Sequence, residues 1–261
     1  MSSKDKRSIK SNQKSLRKFI NMRGELDVMD MEKVSVILPV YNEEKVLEKT
    51  IKTLSKTLDK IPNDYEIIIS EDGSTDKTPQ IARSLRSKKI RTIHNGKRTG
   101  KGAAIRNAAN CAKGELIIFM DADLASHPNH IKELIRLLEK DAAIVIGSRY
   151  IKGAKTMRAP LRYLASKSFN FLVNFTLNSK LSDHQCGFKA FKKNLVIPVI
   201  NEVENEKWFW DTEFLVRAQR KGLNVIEVPI EWKEARDSKF NLIHDTIHMT
   251  HRLIHFKLKH R

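Results

Sequence analysis

One stretch limits the fold more than any other, Leu116-Ile-Ile-Phe-Met-Asp-Ala-Asp123. Five apolar residues in a row, set off by Gly114, read as a strand buried on both faces, as in a parallel sheet covered by helices on each side. The run stops on two carboxylates, Asp121 and Asp123. In an extended chain residues i and i+2 point to the same side, so both acids converge at the carboxyl end of a central strand. Open α/β sheets hold their ligands there. Two adjacent carboxylates repel unless a proton or cation lies between them. A hard divalent ion, Mg²⁺ or Mn²⁺, held by few protein oxygens and shared with substrate phosphates, suits such a pair. A bare Asp-x-Asp is more often a strand-end turn with two solvated acids, and it is the rest of the chain that overturns that reading.

The flanking segments set the rhythm. Val34–Val40 reads as a buried strand, followed by Tyr41-Asn-Glu-Glu44 and a helix over 44–58 with Val46, Leu47, Ile51, Leu54 and Leu58 at helical spacing. A second strand, Tyr65–Ser70, runs into Glu71-Asp-Gly-Ser-Thr-Asp76, an acidic turn that caps a helix over 78–85. A third, Ile90–His94, leads through the Gly/Lys loop 95–102 into a helix over 103–112. Alternation of strand and helix predicts a mostly parallel α/β sheet with right-handed crossovers. Further on come an amphipathic helix over 128–140, a strand over 142–146, a Leu/Phe-rich segment over 161–177, a polar loop over 183–189, a helix opened by Asp211 and Glu213, and a strand over 225–232.

With 261 residues and 40% hydrophobic content, one sizeable domain is expected. The division read from the sequence is a flexible basic arm over 1–31, an α/β domain over 32–240 and a basic amphipathic helix over 241–261. The formal charge of +18 is uneven: residues 1–23 carry eight Lys/Arg against one acid, Asp5. Such a surplus seeks phosphates, nucleic acid or a lipid surface. A non-catalytic nucleic-acid binder is disfavoured, because the charge sits at the ends and no basic stripe interleaved with aromatics occurs. Two cysteines, Cys111 and Cys186, suit a reducing cytoplasm, and neither a secretion signal nor a membrane span is expected.

The candidate site residues gather at the predicted strand ends. Tyr41, Glu43 and Asp72 are placed to grip a nucleobase or ribose by stacking and carboxylate hydrogen bonds. Lys101, between two glycines at a helix start, offers amides and a cation to a diphosphate, although the loop lacks the Ser/Thr of a Walker motif. Arg149 at a strand end, with Arg162 and Ser166 one helical turn apart, can face one anion; a solvated helix charge is an even alternative for Arg162. His184 and Cys186 lack a second ligand pair for zinc. The last element holds five of the nine histidines, and reads as an interfacial or packed amphipathic helix with Ile243, Ile247, Ile254 and Leu258 on one face.

Val34-Ser-Val-Ile-Leu-Pro-Val-Tyr-Asn-Glu-Glu44, Glu71-Asp-Gly-Ser-Thr-Asp76 and Asp-Ala-Asp, in this order, resemble the family-2 glycosyltransferases of GT-A (Rossmann-like) fold over residues 32–240. Gly100-Lys-Gly-Ala-Ala-Ile-Arg106, Asp183-His-Gln-Cys-Gly-Phe-Lys189 and Trp208-Phe-Trp-Asp-Thr-Glu213 are similar to the dolichyl-phosphate hexose synthases, above all the glucosyltransferase branch. The resemblance implies that Pro39, Tyr41, Glu43 and Asp72 hold the nucleotide, and that Asp121 and Asp123 face the metal and diphosphate. It implies that Arg149, Arg162 and Ser166 bind the acceptor phosphate, that Lys239 clamps phosphate, and that Asp211 stands where members acting on hydroxyls keep a general base. Ala125 stands where the mannosyl branch has Gln as a metal ligand, which points away from that branch and to a metal completed by water or phosphate oxygen.

The expected activity is therefore inverting transfer of a hexose from a nucleotide sugar, UDP-glucose or UDP-GlcNAc, to polyprenyl (dolichyl) phosphate, feeding glycan or N-glycosylation pathways. The alternative is a family-2 enzyme acting on a sugar hydroxyl in polysaccharide or glycolipid synthesis. Both termini are expected to hold the protein peripherally on the anionic cytoplasmic face of a membrane.

Overall fold

In a computed structural model, residues 16–20, 26–234 and 242–260 are described. Residues 1–15 of the basic arm, and Lys239, lie outside them. Within the expected arm, β1 (Leu16–Ile20) and β2 (Leu26–Asp30) pair as an antiparallel ladder.

The central sheet begins with β3 (Val34–Val40), and alternation builds its two faces. Val34, Val36, Leu38 and Val40 point to one core, Ile37 to the other. The same split divides β4 (Tyr65–Asp72) and the Asp-x-Asp strand β6 (Leu116–Met120), in which Leu116, Ile118 and Met120 oppose Ile117 and Phe119. All five residues of β6 are buried, as a doubly covered strand requires. With β5 (Ile90–Asn95), β7 (Ile144–Ser148), β9 (Phe188–Lys192) and β10 (Val225–Pro229) these form a seven-stranded sheet in the order β10-β7-β9-β6-β3-β4-β5. Two short strands, β8 (Lys155–Met157) and β11 (Glu231–Lys233), pair beside it.

Helices α1 (Leu47–Leu58), α2 (Thr78–Ser84) and α4 (Ile131–Glu139) supply buried side chains to the first core. Helices α3 (Lys101–Cys111), α6 (Lys193–Glu202) and α7 (Trp210–Arg220) supply the second. A third cluster joins α5 (Pro160–Leu177) to α8 (Leu242–Lys259) through Phe169, Val173, Leu177, Met249, Leu253 and Phe256. The C-terminal helix is thus packed on the domain. Its packed stripe is Met249, Leu253 and Phe256, whereas Ile247, Ile254 and Leu258 of the expected apolar face are exposed.

Two features position the site. The chain leaves β3 for β4 on one side and returns to the other side with β6, so the crevice between β3 and β6 is the topological switch point. Strand β9 runs antiparallel between β6 and β7, pairing Phe188 with Met120. Its start therefore lies at the same edge as the ends of its parallel neighbours. The polar, glycine-broken run 183–189 reads as a loop, but its last two residues, Phe188 and Lys189, open β9, and Lys189 is fully buried.

Candidate active site

The first two motifs interlock before they touch anything else. Asn42, at φ 54°, receives a hydroxyl acceptor from Ser74 for its N–H at 3.0 Å and returns its Oδ1 to the Thr75 N–H at 2.8 Å. The Glu43 N–H donates to Thr78 Oγ1 at 2.8 Å, and the Lys77 N–H to Glu44 Oε2 at 3.0 Å. Asp72 is buried, and both its oxygens are engaged: Thr99 N–H and Gly100 N–H donate at 2.8 Å, Thr99 Oγ1 at 2.6 Å. Asp72 therefore braces the Gly/Lys loop. Gly73, at φ +68°, lets that loop pass, since a Cβ there would lie 2.5 Å from the Arg98 and Lys97 backbone. Pro39 sits one residue from the end of β3, and the Tyr41 ring is covered by the Arg98 guanidinium at 4.0 Å.

Asp121 and Asp123 fall in the turn directly after β6, closed by the Leu124 N–H on the Asp121 carbonyl at 3.3 Å with Leu124 at φ 53°. Lys101, at the start of α3, places Nζ 2.7 Å from Asp121 Oδ1 and 4.0 Å from Asp211 Oδ2. Burial alone would lower the Lys101 ammonium; Asp121 and Asp211 outweigh it and hold it above its usual value. Asp123 stands at the rim. Crowding by surrounding protein first, and the Asp121 charge second, push its carboxyl up to about 6. Gly187 packs under Asp121: a Cβ there would sit 1.8 Å from Asp121 Oδ2, and the Asp121 N–H donates to the Gly187 carbonyl at 3.1 Å.

This donor set fits a divalent cation. Two hard carboxylates are held together in the turn after β6, on a glycine cradle that fixes one of them, and the burial and Asp121 charge that raise the Asp123 carboxyl would be offset by added positive charge. Among the described residues no group of three or more His, Cys, Asp or Glu could hold a metal. Two protein oxygens would thus share the ion with phosphate and water.

Asp211, on α7, is taken from both sides. Lys189 Nζ lies 2.6 Å from its Oδ1, with the Lys189 side chain fully buried, and Lys101 approaches its other oxygen. Sequence reading did not assign Lys189 or Gly187, although the D-x-x-C-G-F-K run carries both. His184, in the same run, contacts Ser179 Oγ and Asn170 Oδ1 at 2.7 Å each through its two ring nitrogens, and burial pushes it down to about 4. It is a neutral strut.

The expected anion site lies beyond β7. Arg149 is buried and forked onto Asp183, with Nε and Nη2 each donating at 2.7 Å. Burial would lower its guanidinium, but Asp183 raises it. Arg162 Nη1 donates to Glu234 Oε1 at 2.8 Å. Ser166 Oγ accepts from Arg158 Nη1 at 2.8 Å, and the Arg158 guanidinium lies 5.4 Å from the Trp232 ring. Arg149, Arg162 and Ser166 are brought into one neighbourhood, each already partnered. Arg158, Asp183, Trp232 and Glu234 complete it; the short β8–β11 pairing, which brings Glu234 beside Arg158, has no local sequence signal.

The glycosyl transferase family 2 model matches residues 35–200. Glycosyltransferase AglD of Haloferax volcanii is 41% identical over 223 residues, 83% of this chain and 35% of that protein. Dolichyl-phosphate beta-glucosyltransferase ALG5C of Trichomonas vaginalis is 34% identical, covering 79% of this chain and 65% of that one. The human dolichyl-phosphate beta-glucosyltransferase is 30% identical, covering 93% and 82%. The chain thus spans about a third of AglD and just under two thirds of the Trichomonas protein. In architecture it is similar to glucosyl-3-phosphoglycerate synthase of Mycobacterium tuberculosis, crystallised with Mn²⁺, UDP and glucosyl-3-phosphoglycerate: TM-score 0.68, 19% identity, 87% of this chain and 80% of that one. On the strength of the family match and of relatives aligned over most of its length, the chain belongs to glycosyl transferase family 2.

Proposed function

We propose that the protein transfers a hexose, with inversion, from a nucleoside diphosphate sugar to the phosphate of a polyprenyl lipid of the dolichyl class. An acceptor phosphate oxygen bonds to the anomeric carbon as the bond from that carbon to the diphosphate oxygen breaks; the nucleoside diphosphate leaves. Tyr41, Glu43 and Pro39 border the nucleotide end, with Asp72 shaping the loop beside it. Asp121 and Asp123 would hold Mg²⁺ or Mn²⁺, which when bound supplies charge neutralisation to the leaving diphosphate. Lys101 adds a fixed cation at the same point. The named activity of the dolichyl-phosphate glucosyltransferase relatives supports the lipid phosphate acceptor and glucose as the sugar.

Asp211 carries the choice of acceptor. Its two oxygens face the Lys189 and Lys101 ammonium groups, so the carboxylate is already engaged and poorly placed to receive a proton from a hydroxyl. A hydroxyl nucleophile needs such a base. A phosphate monoester, with a second pKa near ~6, does not. The test is product analysis with UDP-glucose and UDP-GlcNAc against a polyprenyl phosphate and the corresponding alcohol. Product on the phosphate alone is expected, and equal transfer to the alcohol would sink the reading.

A membrane contact belongs to the same proposal. No helix among the described residues is long and apolar enough to cross a bilayer. On α5, Leu161, Leu164, Phe171 and Phe175 are exposed, and on the adjacent α8 so are Ile247, Ile254 and Leu258. With the basic N-terminal residues they favour peripheral contact with an anionic cytoplasmic leaflet, where a lipid-borne acceptor resides.

A further inference from the structure

Two of the motifs that carry the resemblance end on side chains the proposed chemistry does not use, Arg106 and Glu213. Both reach the same short segment, residues 203–206, in the connection from α6 to α7. Glu213 lies in the first turn of α7 and is buried. Its Oε1 accepts from the Glu204 N–H at 2.9 Å and its Oε2 from the Asn205 N–H at 3.1 Å. Arg217 Nε donates to the same Oε1 at 2.8 Å, so the buried carboxylate has a counter-charge on its own helix. Arg106, on α3, holds both ends of the segment. Its Nη1 donates to the Val203 carbonyl at 3.2 Å, and its Nη2 to Glu206 Oε1 at 2.9 Å.

The segment in turn grips the start of α3. The Glu206 carbonyl accepts from the Gly102 N–H at 2.8 Å, an amide too early in the helix to have a partner within it. Of the amides expected to face a diphosphate here, that of Gly102 is thus taken by the protein itself. Gly100, at φ +115°, passes so close that a Cβ would sit 2.4 Å from the same Glu206 oxygen. On the other side of Lys101, a Cβ at Gly102 would sit 2.4 Å from the Trp210 ring. Lys101 stands between these two close approaches, and from that placement its Nζ reaches Asp121 at 2.7 Å.

We propose that Glu213 and Arg106 are positioning residues for Lys101: they fix residues 203–206 as a strap, and the strap fixes the helix start that aims the Lys101 ammonium at the leaving diphosphate. The proposal rests on transfer from a nucleoside diphosphate sugar, and adds what holds its cation in place. A lysine ammonium is a point charge on a flexible stem, so its backbone has to be fixed before it acts as a preorganised donor. A brace that served the fold alone would cost stability when cut, with no reference to Lys101.

A double-mutant cycle on the full chain separates positioning from bracing. UDP binding in the presence of Mn²⁺ is read by calorimetry, and stability by denaturant unfolding. Glu213→Gln offers one carbonyl oxygen where the carboxylate offered two. It is expected to weaken UDP binding about fivefold or more, Arg106→Gln about threefold, and Arg106→Lys less than Arg106→Gln. In a Lys101→Ala background neither Gln variant should weaken UDP binding further, while each should lower the unfolding midpoint as much as it does alone. The same loss of UDP affinity in both backgrounds, or wild-type affinity in both single Gln variants, overturns the strap's role. The Arg106 side chain is 26% exposed, so Arg106→Gln decides alone if Glu213→Gln fails to fold. Wild type that binds no UDP with Mn²⁺ sinks the nucleotide-sugar reading itself, whereas wild type that binds it, with either overturning result in the variants, sinks the strap alone.

Discussion

After β6, Asp121, Asp123 and Asp211 face Lys101 and Lys189; beyond β7, Arg149, Arg158 and Arg162 face Asp183 and Glu234. The acidic cluster has one carboxylate more than it has ammonium groups, and the basic one has one guanidinium more than it has carboxylates. Each is left short of one counter-charge, of opposite sign. The acidic side suits a cation and the basic side an anion, as a diphosphate–metal leaving group and a phosphate acceptor would require. Both also contain one fully engaged, buried ion pair that belongs to the scaffold: Lys189–Asp211 on the acidic side, Arg149–Asp183 on the basic side.

The scaffold pairs give the largest expected effect. Asp183→Asn or Asp211→Asn leaves a buried cation without its partner, a loss of about 3–5 kcal/mol of stability each. Denaturant unfolding should show both midpoints falling together. An unchanged midpoint for Asp211→Asn would make that acid a site group and not a brace, and would break the parallel between the two clusters.

Next comes the unpaired charge on the acidic side. Asp123→Asn should lower transfer by more than about 10²-fold, the scale on which direct stabilisers of developing charge act, while the unfolding midpoint stays put. Wild-type rates with an unaltered metal requirement would remove Asp123 from the metal assignment. Gly187→Ala probes the same cluster from beneath. Its Cβ would overlap the Asp121 carboxylate at 1.8 Å, so the acid must move. A displacement of about 1 Å costs up to roughly 10²-fold in well-oriented sites. A loss of about tenfold or more is expected, with a raised metal concentration for half-activity. Full activity would show that Asp121 is free to reposition.

The two clusters also differ in how far the sequence discloses them. Asp121, Asp123 and Lys101 are legible because each sits at a strand end or helix start marked by local pattern, and the sheet then brings them together. Lys189 is not, because a lysine two residues after Gly187 alternates like a surface position while its ammonium is in fact buried against Asp211. Arg158 and Glu234 are 76 residues apart and meet only through the three-residue β8–β11 pairing, too short to carry a periodic signal. Tyr41 and Asp72 show the converse. Their motif is plain, but it spends Asp72 on the Gly/Lys loop, a role that spacing alone cannot distinguish from nucleotide contact.

The smallest expected effect concerns which cluster turns toward lipid. Phe171 and Phe175 are 72% and 79% exposed and stack with ring centroids 6.4 Å apart on α5, the helix whose first turns carry Arg162 and Ser166. If the acceptor's phosphate enters the arginine side while its tail stays in the bilayer, that side must lie at the surface and the metal side away from it. Full insertion of a phenylalanine is worth about 1.5–3 kcal/mol, and shallow interfacial contact less. The Phe171→Ser/Phe175→Ser double variant should therefore partition about tenfold less onto anionic liposomes in flotation. Raising the salt should weaken wild type and variant alike, since it screens the basic contribution and spares the apolar one. UDP binding in solution should not change. Flotation equal to wild type at every salt concentration would put the bilayer against another face, and the opposed charges of the two clusters would then need an explanation other than a lipid-borne acceptor.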